Sequence, residues 1–232
     1  MVSLSVPPQA QPKVCVLSLT RDRLEYTKHC FATLREYAGC DFDHYVLDNG
    51  STDGTLNWLV IEYGSGRTEA IEYQSDNVGI SRGMNKLLEM AGPEYDWYVK
   101  FDNDCELTTP NTLKDALQDP NWILSPHIQG LDHPPAIDEE LDINGVRVGE
   151  TSILGGIFMA VPSWVFEEYR HAEDNPIWGM DDVRIVEWFK GRGGRVGYML
   201  DYPANHIETT QGQRRRYPSY FLRKDNEFYH GR

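Results

Sequence analysis

The first hundred residues alternate short apolar runs with amphipathic segments, and this alternation limits the possible folds more than any other feature. Strand-like runs occur at 13–19, 44–48, 70–74 and 96–102, and apolar residues at helical spacing follow the first three runs. Strands that alternate with helices in this way favour a mostly parallel, doubly wound sheet with flanking helices. We therefore predict an α/β fold whose ligand site lies at the carboxyl ends of the strands.

Polar side chains follow three of these four runs. Thr20 and Arg21 come after the first run, Asp48 ends the second, and the fourth runs into Asp102, Asn103 and Asp104. Two carboxylates held this close repel each other unless a cation or a hydrogen-bonding ligand relieves the repulsion. An isolated Asp-x-Asp also suits a solvated turn. The convergence of polar groups at one sheet edge favours a binding site instead.

The second half of the chain is less regular. We expect a short helix at 111–119, an irregular acidic stretch at 127–150 with a hairpin turn at Asn144–Gly145, and a buried strand at 151–162. A helix at 163–171 and a strand at 195–200 follow, and the chain ends in a polar tail. These features predict one domain over 1–232, with a smaller antiparallel element in its second half.

Charge and composition narrow the class of ligand. The net charge is -14, from 36 acidic and 22 basic residues, which argues against nucleic acid as a partner because phosphate backbones are bound by Lys and Arg. A small anion held by a local basic patch remains open. Arg82 and the run Arg214–Arg216 are basic exceptions in this acidic chain. They are candidate anion-binding residues because guanidinium groups suit diphosphate oxygens. The run equally suits a solvated face.

The cysteines and the apolar runs bear on location. The four cysteines show no Cys-x-x-Cys spacing, which is typical of buried free thiols in a reducing compartment. No run of about 18 apolar residues occurs, so we expect no transmembrane segment and a cytoplasmic location. Neither the Gly-x-Gly-x-x-Gly pattern of dinucleotide-binding folds nor a phosphate-binding P-loop is present.

Five motifs stand in the order found in one enzyme family. They are 46–55 (VLDNGSTDGT), 76–91 (DNVGISRGMNKLLEMA), Asp102-Asn103-Asp104, 155–166 (GGIFMAVPSWVF) and 178–198 with a late histidine, His206. With these motifs the chain resembles the inverting glycosyltransferases of family 2, which have the GT-A fold, over about 13–228. The resemblance implies a nucleotide-binding half at 13–107, an acceptor-binding half at 108–210 and a tail at 211–232.

The resemblance also implies a donor and a metal. The donor would be a nucleotide sugar, expected to be a UDP-sugar, and a divalent Mn²⁺ or Mg²⁺ would assist the departure of its diphosphate. Asp104 would be the main metal ligand, with His206, while Asp102 would bind the ribose or assist the metal. Asp48 would accept a hydrogen bond from uracil. The remaining donor-binding residues would be Thr20, Arg21, Asn77, Arg82, Asn103 and Arg215.

The family's catalytic Glu-Asp pair is present as Asp181-Asp182. The resemblance makes Asp182 the general base that deprotonates an acceptor hydroxyl, expected on a glycan, and Asp181 its partner. Asp181 stands where the family has Glu, so it remains open which of the two aspartates is the base. A helix N-cap is the alternative reading for one of the two aspartates. Trp178, Gly155 and Gly156 are the candidate acceptor-binding residues.

Two other functions and one conformational hypothesis remain. A nucleotidyltransferase would share the fold design and the paired carboxylates, but it would carry a glycine-rich loop after its first strand. A non-catalytic carbohydrate-binding domain on the same fold is the second alternative. We also expect the tail to form a mobile, glycine-containing loop that closes over the diphosphate, anchored by Tyr220, Phe221 and Phe228.

Overall fold

The computed structural model describes residues 11–131, 136–173 and 180–230. Its first half confirms the predicted alternation of strands and helices. The elements of this half are β1 (Val14–Thr20), α1 (Leu24–Tyr37), β2 (Asp43–Asn49), α2 (Thr55–Gly64), β3 (Ala70–Gln74), α3 (Ile80–Ala91) and β4 (Trp97–Phe101).

The second half mixes short strands with short helices. Its elements are β5 (Cys105–Leu107), α4 (Thr112–Asp115), β6 (Trp122–Gln129), β7 (Glu139–Ile143), β8 (Val146–Glu150), β9 (Phe158–Pro162), α5 (Trp164–Glu168), α6 (Asp181–Lys190), β10 (Arg195–His206), α7 (Thr210–Arg216) and α8 (Pro218–His230).

All the strands of the described chain form one sheet, in the order β3-β2-β1-β4-β9-β6-β10-β8-β7, with β5 paired to β10. The strands β3, β2, β1 and β4 are parallel, and β6 is parallel to β10. In the second half β9 runs antiparallel between β4 and β6, and the hairpin β7–β8 is antiparallel. The predicted mostly parallel central sheet and its antiparallel element are both present.

Three sequence predictions need correction in the second half. The strand β6 includes 127–129, which were expected to be irregular. The strand expected at 151–162 is limited to β9, because the glycine-containing segment before it forms loops and turns instead. The polar tail, expected to be a loop, is helical as α7 and α8.

Buried apolar side chains hold the helices against the sheet. In α3, Met84, Leu87 and Leu88 recur at helical spacing and are buried, which gives the helix one apolar face. At Gly83 the helix approaches β1 so closely that a Cβ atom would lie 2.7 Å from Leu19 Cδ2. This close approach fixes α3 against the end of β1.

The strand β10 crosses from one neighbour to another. It pairs with β6 both before and after a register shift between Met199 and Pro203, while its other neighbour changes from β8 to β5. In that last segment His206 is the register partner of Cys105. The crossing therefore carries His206 to the end of β4, beside Asp104.

In the described part of the chain, no helix has both the length and the apolar character needed to cross a membrane.

Candidate active site

A cleft of about 280 Å³ opens at the carboxyl ends of β1, β2 and β4, where the sequence predicts the ligand site. We call it the strand-end cleft. Its lining is Leu19, Thr20, Arg21, Arg23, Asn49, Asn77, Ile80, Asp102, Asn103, Asp104, Ile157, His206, Thr210, Gln213, Tyr220, Phe221 and Lys224. The predicted strand-end residues thus meet in one place, together with residues from α7 and α8.

The part of the cleft at β1 and β2 is built by an amide pair and a buried aspartate. Asn49 Nδ2 donates to Asn77 Oδ1 at 2.7 Å, and both side chains line the cleft. Asp48 is fully buried behind them, and its carboxylate accepts from Thr20 Oγ1 at 3.3 Å and from the Ser51 amide at 3.0 Å. Each Asp48 oxygen accepts one of these bonds, so each keeps a lone pair for a further donor.

The part of the cleft at β4 contains a buried ion pair. Arg23 Nη1 donates to Asp104 Oδ2 at 2.7 Å and to Gln213 Oε1 at 2.9 Å, and Arg23 Nη2 donates to Asn103 Oδ1 at 2.8 Å. His206 Nε2 lies 3.4 Å from the same Asp104 Oδ2. The structure therefore brings Asp104 and His206 together as predicted, and Arg23 bonds the same carboxylate oxygen that faces His206.

The two aspartates of the Asp-Asn-Asp motif differ in electrostatic environment. Burial raises the pKa of Asp104, but Arg23 and His206 outweigh burial and hold this pKa well below its usual range. At Asp102, burial together with the charge of Asp104 raises the pKa to about 6 despite the nearby Lys100. Asp104 is therefore the firmly ionised member of the pair.

The residues around Asp104 do not, as arranged, fit a divalent cation. Hard cations prefer carboxylate and amide oxygens with an occasional imidazole, and these are the atoms that Arg23 already bonds. Within the described residues, no group of three or more His, Cys, Asp and Glu side chains is placed to hold a metal ion. The Mn²⁺ or Mg²⁺ expected from the sequence stays a prediction.

The acid pair, Asp181 and Asp182, begins α6 on the other side of Lys100. Asp182 Oδ2 accepts from the Gly156 amide at 3.0 Å, and its Oδ1 accepts from the Val183 amide at 2.8 Å. The N-cap residue of α6 is Met180, which makes no side-chain cap bond, so neither aspartate is the N-cap of this helix. Asp181 is buried, and burial raises its pKa. The geometry therefore gives the two aspartates different environments.

Lys100 joins the acid pair to the strand-end cleft. Its ammonium donates to Asp102 Oδ1 at 2.7 Å and to the carbonyl of Gly156, whose amide holds Asp182. Burial lowers the pKa of Lys100, but the charges of Asp102 and Asp181 outweigh burial and raise it. A Cβ atom at Gly156 would lie 3.1 Å from both Lys100 Nζ and Asp182 Cβ. Gly156 therefore leaves room for this contact.

Several predicted site residues lie elsewhere. Arg82 is exposed on α3 and pairs with Glu173 at 3.2 Å, and Arg215 is exposed on α7; neither lines the cleft. Gly155 donates from its amide to the Tyr198 hydroxyl at 3.1 Å. Trp178 lies outside the described residues.

The tail contributes to the cleft through residues other than its arginines. Arg214 pairs with Asp225 at 2.6 Å and Arg216 with Glu208 at 2.8 Å, on the outer side of the tail helices. Gln213, Tyr220, Phe221 and Lys224 line the cleft instead. Tyr220 and Phe221 are buried, as the predicted anchor requires, while the side chain of Phe228 lies outside the described residues.

Sequence reasoning missed Arg23, Lys100 and Gln213. A signal was available for two of them. Lys100 is a charged residue inside the apolar run WYVKF, and Arg23 is a second arginine directly after the first strand. No local pattern distinguishes Gln213 from its polar neighbours.

Comparison with known proteins shows the architecture. No family model and no curated protein matches the chain. Solved structures do match, and they include GalNAc-T7 with UDP, GalNAc and Mn²⁺, which aligns over 87% of this chain and 44% of its own with a TM-score of 0.67 and 14% identity. The fold is GT-A.

Two further structures share this fold. The mannosyltransferase PcManGT from Pyrobaculum calidifontis in complex with GDP-Man and Mn²⁺ gives a TM-score of 0.68 and 18% identity over 94% of this chain and 62% of that one. S. aureus TarS 1-349 in complex with UDP-GlcNAc gives a TM-score of 0.61 and 17% identity, over 84% of this chain and 59% of that one. The chain spans about half to three fifths of the length of these proteins.

Proposed function

We propose that this protein is a glycosyltransferase that moves a sugar from a nucleoside diphosphate sugar to a hydroxyl acceptor. The observation that carries the proposal is the charge of the strand-end cleft. In a chain of net charge -14, Arg21, Arg23 and Lys224 line the same cleft as Asp102 and Asp104. Basic side chains at the carboxyl ends of parallel strands suit a nucleotide, because its diphosphate is anionic.

Support for the class of ligand comes from the solved structures of the same fold, whose ligands are UDP, GDP-Man and UDP-GlcNAc. We expect the nucleoside to lie against Thr20, Asn49 and Asn77, and the diphosphate to lie toward Arg23 and Lys224. A UDP-sugar is the donor implied by the sequence resemblance, so UDP and UDP-sugars are the first ligands to test.

The proposed transfer is inverting and uses the acid pair. One carboxylate of Asp181–Asp182 takes the proton of the acceptor hydroxyl as its oxygen bonds to the anomeric carbon of the sugar. The bond from that carbon to the diphosphate oxygen breaks, and the electron pair leaves with the nucleoside diphosphate. We assign the base to Asp182, following the sequence motif, and we assign the orienting role to Asp181.

Lys100 supports this chemistry by position. Its ammonium lies between the donor-side carboxylate of Asp102 and the acid pair, so it keeps three buried or partly buried carboxylates from repelling one another. We expect it to be a positioning residue that fixes Gly156 and, through the Gly156 amide, Asp182.

The proposal is tested by thermal shift followed by a transfer assay. A ligand that binds only the folded state stabilises it by about 2.7 kcal/mol at one hundred times its Kd, so UDP or GDP should raise the melting temperature. Inorganic diphosphate is the control for recognition of the nucleoside, and it should shift the melting temperature less. A panel of nucleotide sugars then identifies the donor by release of UDP or GDP in the presence of glycan acceptors.

Asp182→Asn separates binding from chemistry. It should bind the donor as the wild type does while losing transfer. If no nucleoside diphosphate raises the melting temperature, the proposed function is wrong. If binding occurs and no sugar is released or transferred, the chain is a binding domain.

A further inference from the structure

Arg23 lies at the junction between β1 and α1, where it takes a left-handed backbone conformation with φ of 61°. Its side chain is only 10% exposed, yet it lines the strand-end cleft. The position is set by the fold, because the Arg23 carbonyl accepts the first backbone hydrogen bonds of α1 from Tyr26 and Thr27. The guanidinium is therefore a fixed part of the cleft wall.

The partners of this guanidinium come from two distant parts of the chain. Asp104 and Asn103 belong to the turn after β4, and Gln213 belongs to α7. Each partner is itself held: Asn103 Nδ2 donates to Thr27 Oγ1 at 2.9 Å, and Gln213 Nε2 donates to the Ile207 carbonyl at 2.9 Å. The site is therefore built by several elements rather than by one flexible contact.

The oxygens that Arg23 bonds are those that a divalent cation would take. Asp104 Oδ2 and Asn103 Oδ1 are carboxylate and amide oxygens, and His206 Nε2 lies 3.4 Å from Asp104 Oδ2. A second positive charge beside the guanidinium would be repelled by it. One positive charge is enough for these oxygens, and the guanidinium of Arg23 already supplies it.

One donor of Arg23 is left over. Its Nε is buried and has no hydrogen-bond partner in the part of the chain that the structure describes. Buried donors are nearly always satisfied, and a guanidinium presents its donors in the planar fork that suits phosphate oxygens. The guanidinium carbon of Arg23 lies over the Tyr220 ring, 4.9 Å from the ring centre.

We propose that Arg23 supplies the positive charge that binds the donor diphosphate, in place of a divalent cation. Its Nη groups hold the Asp-Asn-Asp turn, and its charge lies in the wall of the cleft that the phosphates enter. The inference rests on the proposed function, because it names the group that binds the diphosphate of that donor. Nucleoside diphosphate binding is therefore independent of metal in this protein.

The test is calorimetric binding of UDP and GDP to chelator-treated protein, with and without Mn²⁺. For the wild type we expect affinities that change by less than about threefold on adding Mn²⁺. Arg23→Met keeps an unbranched side chain but removes the charge, and we expect metal-free binding to weaken by about tenfold to hundredfold. Arg147→Met removes an exposed arginine paired with Asp201 and Glu140, and it should bind as the wild type does.

Two results overturn the proposal. One is a tightening of wild-type binding by about tenfold or more with Mn²⁺, which would mean that Arg23 gives way to the ion. The other is an undiminished metal-free affinity of Arg23→Met. If that variant fails to fold because Asp104 loses its partner, Arg23→Met combined with Asp104→Asn is compared with Asp104→Asn alone. Equal metal-free affinity in this second pair also overturns the proposal.

A nucleotide-free measurement keeps this inference separate from the proposed function. Binding of Mn²⁺ alone, followed by the loss of its free electron paramagnetic resonance signal, should be weak in the wild type and at least about tenfold tighter in Arg23→Met, because Asp104 and His206 are then open to the ion. Mn²⁺ binding by the wild type that equals or exceeds binding by the variant overturns the role of Arg23. Absence of any UDP or GDP binding refutes the proposed function, and this titration still decides the role of Arg23.

Discussion

His44, in β2, lies in the core and makes a hydrogen bond that fixes its protonation. Ser18 Oγ donates to the Phe101 carbonyl at 2.7 Å, so the hydroxyl hydrogen is used there. His44 Nε2, at 3.0 Å from Ser18 Oγ, must then be the donor of that bond. The ring is therefore the neutral form protonated at Nε2. Its Nδ1 is buried without a hydrogen-bond partner among the residues that the structure describes.

Protonation of His44 would bury a charge, and the pKa reflects this cost. Burial, and then the charge of Arg35, lowers the pKa of His44 from 6.5 to about 3. The unfolded chain takes up this proton near its ordinary pKa, whereas the folded chain does not until about pH 3. Stability present above pH 6.5 is therefore lost as the pH falls. At about pH 5 the loss from this one group is about 2 kcal/mol.

The assay compares the wild type with His44→Gln, since a glutamine amide can donate to Ser18 Oγ and does not titrate. The free energy of unfolding is measured in urea at about pH 7.5 and about pH 5. The wild type should lose about 2 kcal/mol more than the variant over this range, because contributions from all other groups cancel in the comparison. Equal losses in the two proteins would refute the reasoning. His171, whose pKa burial and then Lys100 and Arg170 lower to about 4, should give a second loss of similar size.

Three further predictions concern the acid pair and Lys100. Asp182→Asn should keep donor binding and a near-normal melting temperature while transfer falls by about 10²–10⁴-fold in a steady-state assay; normal transfer by this variant, with an inactive Asp181→Asn, would exchange the roles of the two residues. Gly156→Ala places a methyl group against Lys100 and Asp182, and it should slow transfer about 100-fold with unchanged donor affinity by calorimetry. Lys100→Met leaves Asp102 and Asp181 without their cation, and it should lower the free energy of unfolding, measured in urea, by about 3 kcal/mol. A change below about 0.5 kcal/mol would contradict the proposed role of Lys100 between these carboxylates.

The first half of the fold could be predicted from the sequence because each element there has a local signal. Helical apolar spacing predicted α1 and α3, and the β-branched or aromatic runs predicted β1, β2 and β4. The position of the cleft followed from the same reasoning, since the carboxyl ends of parallel strands share one edge.

The second half could not be predicted equally well because its local signals conflict with its tertiary contacts. The strand β6 contains Pro126 and His127, and a proline inside a run argues against a central strand. Pro218 stands at the first position of α8, where proline is favoured, within a tail whose polar composition predicts a loop. In both places the sheet or the helix packing determined the structure.

Long-range contacts set the limit for the candidate site. Arg23 and Asp104 are separated by 81 residues, and Arg23 and Gln213 by 190. Periodicity carries no information about such pairs, so the motif predicted the carboxylate at Asp104 and not the cation that neutralises it. The sequence predicted the acids of the candidate site, and the three-dimensional structure was needed to find the cations beside them.

The crossing of β10 has a consequence for engineering the protein. The same strand pairs with the hairpin β7–β8 on one side and ends at His206 in the cleft. The number of residues in β10 therefore fixes the position of His206 relative to that hairpin. Adding or deleting a residue between Pro203 and His206, where the pairing is regular, would move His206 off its partner Cys105 and reverse the faces of the following side chains. The turn at Asn144–Gly145 is different, because a Cβ atom at Gly145 would meet no other atom within 4 Å. Longer loops that are meant to add a new specificity therefore belong at that turn, where added residues leave the register of β10 unchanged.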